Sequence, residues 1–395
     1  MGWRDAELGN FMVERGGSVN PALFPDEEFD LYSIPAHDRG GFVVARGDEI
    51  GSSKRVVIPG DVMVSRIVPH IQRARVVDPI GTRRQSASTE WISFRSSVHD
   101  PQFLRYFLLS GEFHNQFMRT VSGVGGSLNR AQPSRVRSIR VPVPPVDEQR
   151  RIVAILEEHL SRLDAATASL NVASRKVEEW RHAEVDAALW TPGVETVPIL
   201  SLLREPMRNG RSDRASPDGR GTRTLTITAV TKNDFSEGNT KFTLTSVEAA
   251  AGLWLEPGDI FVQRSNTPEL VGSVSRYDGP RDWAIYPDLL IRLRADESKV
   301  TSEYMAAALR SRRVHRTLRA KAKGLAGSMP KIDQGAIGST AIPIVAVPEQ
   351  RALISRLAVV EESARRSLAA IEAQRRRAIA LRRSLLAAAF RGKLR

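Results

Sequence analysis

The feature that most restricts what this chain can fold into is a long internal repeat, with a period of about 200 residues. Gly123-Val124-Gly125-Gly126-Ser127 recurs as Gly324-Leu325-Ala326-Gly327-Ser328, Val141-Pro142 as Ile342-Pro343, and Glu148-Gln149-Arg150 as Glu349-Gln350-Arg351. Ser110 and His114 match Ser311 and His315, and all of these pairs share an offset of 201. Pro59-Gly60-Asp61 pairs with Pro257-Gly258-Asp259 and Arg66 with Arg264 at 198, and Ala187-Ala188-Leu189-Trp190 pairs with Ala387-Ala388-Ala389-Phe390 at 200. Matches this collinear make the chain two copies of one unit, each a globular block followed by a helix.

The expected boundaries are residues 1–145 and 191–346 for the blocks, with helices over 146–190 and 347–395. Both blocks have a normal domain size and read as mixed, so the expected fold class is α+β. Strand-like runs include Gly41-Phe42-Val43-Val44, Asp61-Val62-Met63-Val64, Thr224 to Thr228 and Asp259 to Val262, punctuated by Pro, Gly and Asp. Each block closes with a helical stretch, Pro101 to Arg119 and Ser302 to Lys323, then a Gly/Ser loop and a Pro-bearing extended segment.

The helices carry the clearest pattern. Pro144 and Pro145 stop an extended segment, Asp147-Glu148 suits a first helical turn, and Pro348 suits a first helical position. Apolar positions then run Ile152, Leu156, Leu160, Leu163, Ala166, Leu170, Ala173, Val177 and Trp180, in steps of three and four. The second seam runs Leu353, Leu357, Val360, Ala364, Leu368, Ile371, Ala378, Leu381 and Leu385, with Gln374 and Arg375 interrupting it. A helix from Asp147 to Trp190 spans about 65 Å. One this long with a single apolar stripe needs a partner. Residues 146–190 hold 6 Lys+Arg and 9 Asp+Glu, a net of −3, whereas residues 347–395 hold 12 and 4, a net of +8. An acidic and a basic helix of matched length form a complementary coiled coil. Chain closure favours an antiparallel pair, with the blocks at opposite ends in a pseudo-twofold arrangement. Such an object suits two half-sites on one duplex.

Composition sets the chemistry. The 395 residues carry a formal net charge of +13, which points to a polyanionic partner such as nucleic acid. With no cysteine, disulfides, thiol nucleophiles and cysteine metal sites are excluded. No run approaches the roughly 18 apolar residues of a membrane span. Met1 to Asn20 has no apolar signal core, so the expectation is a soluble cytoplasmic protein with no membrane partner.

Three segments add a resemblance. They are Val141-Pro142-Val143-Pro144-Pro145-Val146-Asp147-Glu148-Gln149-Arg150 with its helix, Ile342-Pro343 with Pro348-Glu349-Gln350-Arg351, and Leu385 to Leu394 (LLAAAFRGKL). On these and the duplicated layout, the chain resembles over its whole length the specificity (S) subunit of type I restriction–modification systems. It departs where Val141 to Pro145 becomes Ile342-Pro343-Ile344-Val345-Ala346 and loses two prolines, which marks the start of the second helix less sharply. The resemblance implies two target recognition domains reading double-stranded DNA. It implies that the helices serve as a spacer docking two modification (methyltransferase) subunits, which a restriction subunit can join as ATP-driven nuclease. S-adenosylmethionine, ATP and magnesium then belong to the partners; this chain has no cofactor and no catalytic residue.

Basic residues in irregular segments are the candidates for phosphate and base contact. In the first block these are Lys54, Arg55, Arg73, Arg75, Arg83, Arg84 and Arg130; in the second they are Arg208, Arg211, Arg214, Arg220, Arg264, Asn266 and Lys331. Arg130 and Lys331 are repeat partners just after the Gly/Ser loops. A solvated surface arginine reads the same way in sequence, and the run from Arg312 to Lys323 reads equally well as a wet helix face.

The enzyme readings are weak. No cofactor-binding glycine loop follows a strand, and no Walker-type loop or Asn/Asp-Pro-Pro-aromatic motif occurs. The sharpest alternative is a metal-dependent nuclease, since Pro287-Asp288 and Glu297-Ser298-Lys299 match a loose PD…ExK pattern. Against it, the first block lacks the pattern near Thr89-Glu90, and Asp296-Glu297-Ser298 is placed to cap a following helix. His114 and His315 read as helix packing or capping, because no ligand partner lies at metal spacing.

Overall fold

The computed structural model describes residues 3–14, 16–79, 81–122, 129–324 and 329–394. The Gly123 to Ser127 loop and most of its repeat, Leu325 to Ser328, lie outside the described residues. The chain divides into two compact units, Met1–Asn171 with Glu372–Arg395, and Val172–Ile371. Each unit holds one globular block, half of the first long helix, Val146–Leu189, and half of the second, Val347–Phe390.

In the first unit a five-stranded sheet runs in the order Ser18–Val19, Lys54–Val56, Arg84–Ala87, Glu28–Tyr32, Val43–Arg46. Beside it a three-stranded sheet runs Ala74–Val76, Val62–Ser65, Trp91–Phe94. Pairing is antiparallel except between Glu28–Tyr32 and Arg84–Ala87, which run parallel. Phe103, Phe107 and Phe113, from the helices Pro101–Leu108 and Gly111–Met118, share one buried core with Ile152, Leu156 and Leu160 of the first long helix and with Phe390 of the second. Phe390 meets the rings of Phe103 and Phe107 edge-on at 5.3 and 5.4 Å. Full burial of a side chain of that size contributes about 1.5–3 kcal/mol.

The second unit repeats the plan. Its four-stranded antiparallel sheet runs Arg208–Asn209, Leu290–Leu293, Ile260–Gln263, Val274–Arg276. The helices Ser302–Arg310 and Arg312–Lys321 follow, and Val185, Leu189 and Leu357 of the long helices enter the core. The run read as a strand from Thr224 to Thr228 is a strand only over Thr222–Leu225, and Ile227–Thr231 is a helix. The ladder stops because Thr226 turns its N–H and hydroxyl onto the Asn239 carbonyl instead, both at 2.9 Å. The helical stretch expected from Pro101 to Arg119 is likewise two helices, and so is its repeat. Ser110 and Ser311 are buried at the breaks, each hydroxyl accepting from the backbone N–H three residues on, Phe113 and Val314. That is a helix N-cap in both copies.

Within each unit the long helices pack antiparallel. In the first unit, Arg382 pairs with Asp164 at 3.2 Å and the Arg151 guanidinium donates to the Leu394 carbonyl at 3.1 Å. In the second, Arg181 pairs with Glu361 at 3.1 Å. The seam differs from expectation in detail: Ala166, Trp180 and Leu381 are exposed, whereas Leu386 and Ala389 are buried. Arg375, where the apolar pattern breaks, pairs with Glu372 and donates to Asn171 Oδ1 at 2.7 Å, a polar clasp inside the seam.

Two devices recur at repeat-equivalent places. Pro59-Gly60-Asp61 and Pro257-Gly258-Asp259 are turns with Gly at φ 83° and 89°, a conformation that favours glycine. The buried Asp61 accepts from Ile58 N at 3.0 Å and holds Arg95 at 2.7 and 2.9 Å, while Asp259 accepts from Glu256 N at 2.8 Å and holds Arg294 at 2.6 and 3.2 Å. The second device is Gln149 and Gln350, both fully buried one turn into the long helices. Gln149 donates to the Val98 and Pro144 carbonyls, each at 2.8 Å, and accepts from Asp100 N at 2.7 Å. Gln350 donates to Lys299 O at 3.0 Å and Val345 O at 2.8 Å, and accepts from Thr301 N at 2.8 Å. Each glutamine thereby bolts a long helix to the start of its block's first C-terminal helix.

Burial also sets a pH dependence. His99 lies between Phe11 and Phe103, bonded to Ser96 Oγ at 2.8 Å and the Pro142 carbonyl at 3.1 Å. Burial pushes its imidazole below the ordinary 6.5, outweighing the carbonyl. His114 and His315 are lowered too, first by burial. A histidine lowered in the fold binds its proton better when unfolded, so folding stability is complete above pH 6.5 and declines as pH falls below it. Thermal melts at about pH 5.5 and 7.5 should show this decline, and it should shrink in His99→Gln. Melts that stay level between those pH values would count against it.

Candidate nucleic-acid interface

The fourteen polar residues marked out by the sequence fall into two groups once their neighbours are known. Six of the arginines are tied to carboxylates. Arg73 grips Asp38 with two hydrogen bonds at 2.6 and 2.8 Å, which holds the Asp38 carboxyl below its usual range. Arg75 pairs with Asp78 at 2.7 Å and lies over the Tyr32 ring. Arg83 reaches the buried Asp30 at 2.6 Å, and Arg84 pairs with Glu27 at 3.0 Å across the Phe24 ring. Arg130 holds Glu90 at 3.1 Å, and Arg211 holds Asp213 at 2.7 Å, drawing that carboxyl down as well. A neutralised guanidinium offers a phosphate less than a free one does, because the carboxylate competes for the same donors.

The side chains of the others have no carboxylate partner among the described residues, although the Arg220 backbone N–H donates to Asp218 Oδ1 at 3.2 Å. Lys54 donates to Ser52 O and Oγ at 2.7 and 2.6 Å, and Arg55 to Val13 O at 3.4 Å. These two line a cleft of 490 Å³ with Gly16 and Gly17. Arg208 donates to Gly252 O at 3.2 Å, and Asn266 Oδ1 accepts from Thr267 N at 2.8 Å. Arg214, Arg220 and Lys331 are exposed and Arg264 is half-buried. Arg264 and Lys331 sit on neighbouring backbone, since Ile332 N donates to Arg264 O at 2.8 Å and Ser265 bridges to Lys331. The run after Arg312 is not simply a wet face. Val314 and Leu318 are buried beneath it, and Arg313 lies over the Trp190 ring at 4.2 Å.

The groups of the nuclease pattern are each engaged in local structure. Asp288 accepts from the Ser212 hydroxyl, and Glu297 accepts from Ser302 N at 3.1 Å, at the N-terminus of the helix Ser302–Arg310. Lys299 pairs with Asp296 at 3.1 Å. Among the described residues no group of three or more His, Cys, Asp or Glu could hold a metal ion. None of their helices is long and apolar enough to cross a membrane. Sequence reasoning saw Glu148-Gln149-Arg150 and Pro59-Gly60-Asp61 as repeat markers and missed what they do. It also missed Glu90, for which no local pattern gives a signal.

No family model matches the chain. The specificity subunit of the type I restriction enzyme EcoKI from Escherichia coli K12 is 25% identical over 318 residues, which is 74% of this chain and 65% of that relative's length. Among solved structures, a chain from a study of complex assembly and conformational transition in the type I R–M system matches with a TM-score of 0.77 at 20% identity, covering 100% of this chain and 98% of that one. The HsdS subunit from Thermoanaerobacter tengcongensis matches with a TM-score of 0.51 at 21% identity, covering 100% and 97%. The repeated blocks and the antiparallel helices that root them share the fold of these structures, and the sequence is similar to type I restriction–modification specificity subunits over about three quarters of this chain and just under two thirds of their length.

Proposed function

We propose that this chain is the DNA-reading subunit of a type I restriction–modification complex and is not itself an enzyme. Residues 1–145 and 191–346 act as two target recognition domains, and residues 146–190 and 347–395 are the spacer that docks two methyltransferase subunits and, with them, a restriction subunit. The observation that carries this reading is one scaffold used twice with unlike surfaces. Both blocks share the turn, the buried glutamine and the helix root, yet the first ties most of its candidate arginines to carboxylates, while the second leaves Arg214, Arg220, Arg264 and Lys331 without one. Two unlike readers on one frame suit a bipartite, asymmetric DNA site. Free cations in the second block supply sequence-independent phosphate attraction, so binding by the chain alone is expected to be weak and to fall steeply with salt.

The test is an exchange of residues 191–346 for the corresponding block of a relative, in a cell that also makes the neighbouring methyltransferase. The methylated motif should change in one half and keep the other. A motif altered in both halves, or unaltered, would overturn the modular reading.

A further inference from the structure

The two blocks carry the same small ladder with different electrostatics. In the first block Val121–Ser122 pairs with Arg130–Ala131, Ile67 bridges to Arg130, and Arg66 N donates to Glu90 O at 2.9 Å. In the second, Lys323 pairs with Lys331, Ser265 bridges to Lys331, and Arg264 N donates to Leu289 O at 2.8 Å. The equivalences are therefore Arg66 with Arg264, Arg130 with Lys331, Ser122 with Lys323, and Glu90 with Leu289.

That last exchange decides the charge. Glu90 holds both cations of the first block, Arg130 at 3.1 Å and Arg66 at 3.8 Å. Leu289 has no charge to offer, so Arg264 and Lys331 have no carboxylate partner among the described residues, and Lys323 reaches only an exposed Asp333 at 3.6 Å. Ser265, beside Arg264, keeps a buried hydroxyl with no hydrogen-bond partner. Adjacent unneutralised cations are the donors that a phosphodiester backbone accepts from.

We infer that Arg264 and Lys331 form a phosphate-backbone contact of the second block, and that Glu90 withdraws the equivalent contact from the first. This deepens, and rests on, the reading of the chain as a DNA-binding subunit. The two blocks then divide the labour. The second supplies more of the salt-dependent attraction, and the first depends more on shape and base contacts.

The test uses the full-length chain and random-sequence duplex DNA, with affinity followed by fluorescence anisotropy across about 50 to 200 mM salt. Replacing both Arg264 and Lys331 by alanine is expected to reduce the slope of log affinity against log salt by about 2, and Lys331→Gln alone, at an exposed side chain, by about 1. Glu90→Leu, which installs the second block's residue, should steepen the slope by about 1 to 2 as Arg66 and Arg130 are freed. Glu179→Gln, an equal change of charge on an exposed part of the long helix, should leave it alone. Thermal melts confirm that each variant is folded. Should wild type bind while Glu90→Leu behaves like Glu179→Gln, or while the double variant keeps its slope, this inference falls and the functional reading stands. Wild type that binds no duplex even at the lowest salt overturns both.

Discussion

Replacing Arg294 by methionine is expected to cost the second unit about 3–5 kcal/mol, the range for stranding one side of a buried ion pair. Arg294 is 10% exposed and sits among three carboxylates: Asp259 at 2.6 Å, Glu256 at 3.0 Å and Glu205 at 3.3 Å. Methionine fills much of the volume and supplies no charge, leaving Asp259, at 1% exposure, with like-charged neighbours. The loss should depend on pH. Burial acts to raise the Glu256 carboxyl and is outweighed by Arg204, Arg294 and Arg281, so it rests below the ordinary 4.5. A carboxyl lowered in the fold contributes stability above its unfolded value and loses it as pH falls through the folded one. Arg294→Met gives up part of that contribution, so its deficit should be largest near neutrality and narrow in acid. The repeat partner Arg95 provides a comparison: its side chain is 45% exposed and holds one carboxylate where Arg294 holds three, so Arg95→Met should cost less. Denaturant melts with hydrogen exchange read over each unit would measure both; equal losses at the two sites would contradict the account.

Gln149→Leu is the second large effect. The substitution keeps the size of the side chain and strands the Val98 and Pro144 carbonyls and the Asp100 N–H, for a cost of about 3 kcal/mol or more. Gln149→Glu should not rescue it, because a carboxylate would face two carbonyl oxygens that need donors. Gln350→Leu should weaken the other unit by a similar amount. Exchange protection should fall first at the start of the helix Pro101–Leu108, where Asp100 is the cap. A Gln149→Leu protein within about 0.5 kcal/mol of wild type would show that the glutamine is not a structural bolt.

How much of this was legible in the residues depends on the range of the forces involved. The long helices were expected over 146–190 and 347–395 and run Val146–Leu189 and Val347–Phe390, because prolines and three-four apolar spacing act within a turn or two of the backbone. Their charge difference reads as attraction in the sequence, and antiparallel ion pairs such as Arg181 with Glu361 appear in the fold. The sheets were less legible. Glu28–Tyr32 pairs in parallel with Arg84–Ala87, and nothing near either strand selects that partner. The cations were least legible. Arg73 is neutralised by Asp38, 35 positions away, and Arg83 by Asp30, 53 positions away. Charge pairing at such separations is a product of the finished topology, so the sequence marks arginines without revealing which are spent.

The buried glutamines have a consequence for how such a chain can be rebuilt. Each recognises only peptide groups, two C=O and one N–H, at its block's border. Any incoming module that presents those three main-chain atoms in the same places will fit the socket, whatever its side chains. A graft cut between Asp100 and Pro144 splits the socket, whereas one that carries Val98, Asp100 and Pro144 over together keeps the joint. The frame is thus indifferent to the side chains of the blocks it holds, which is the property an exchangeable block requires.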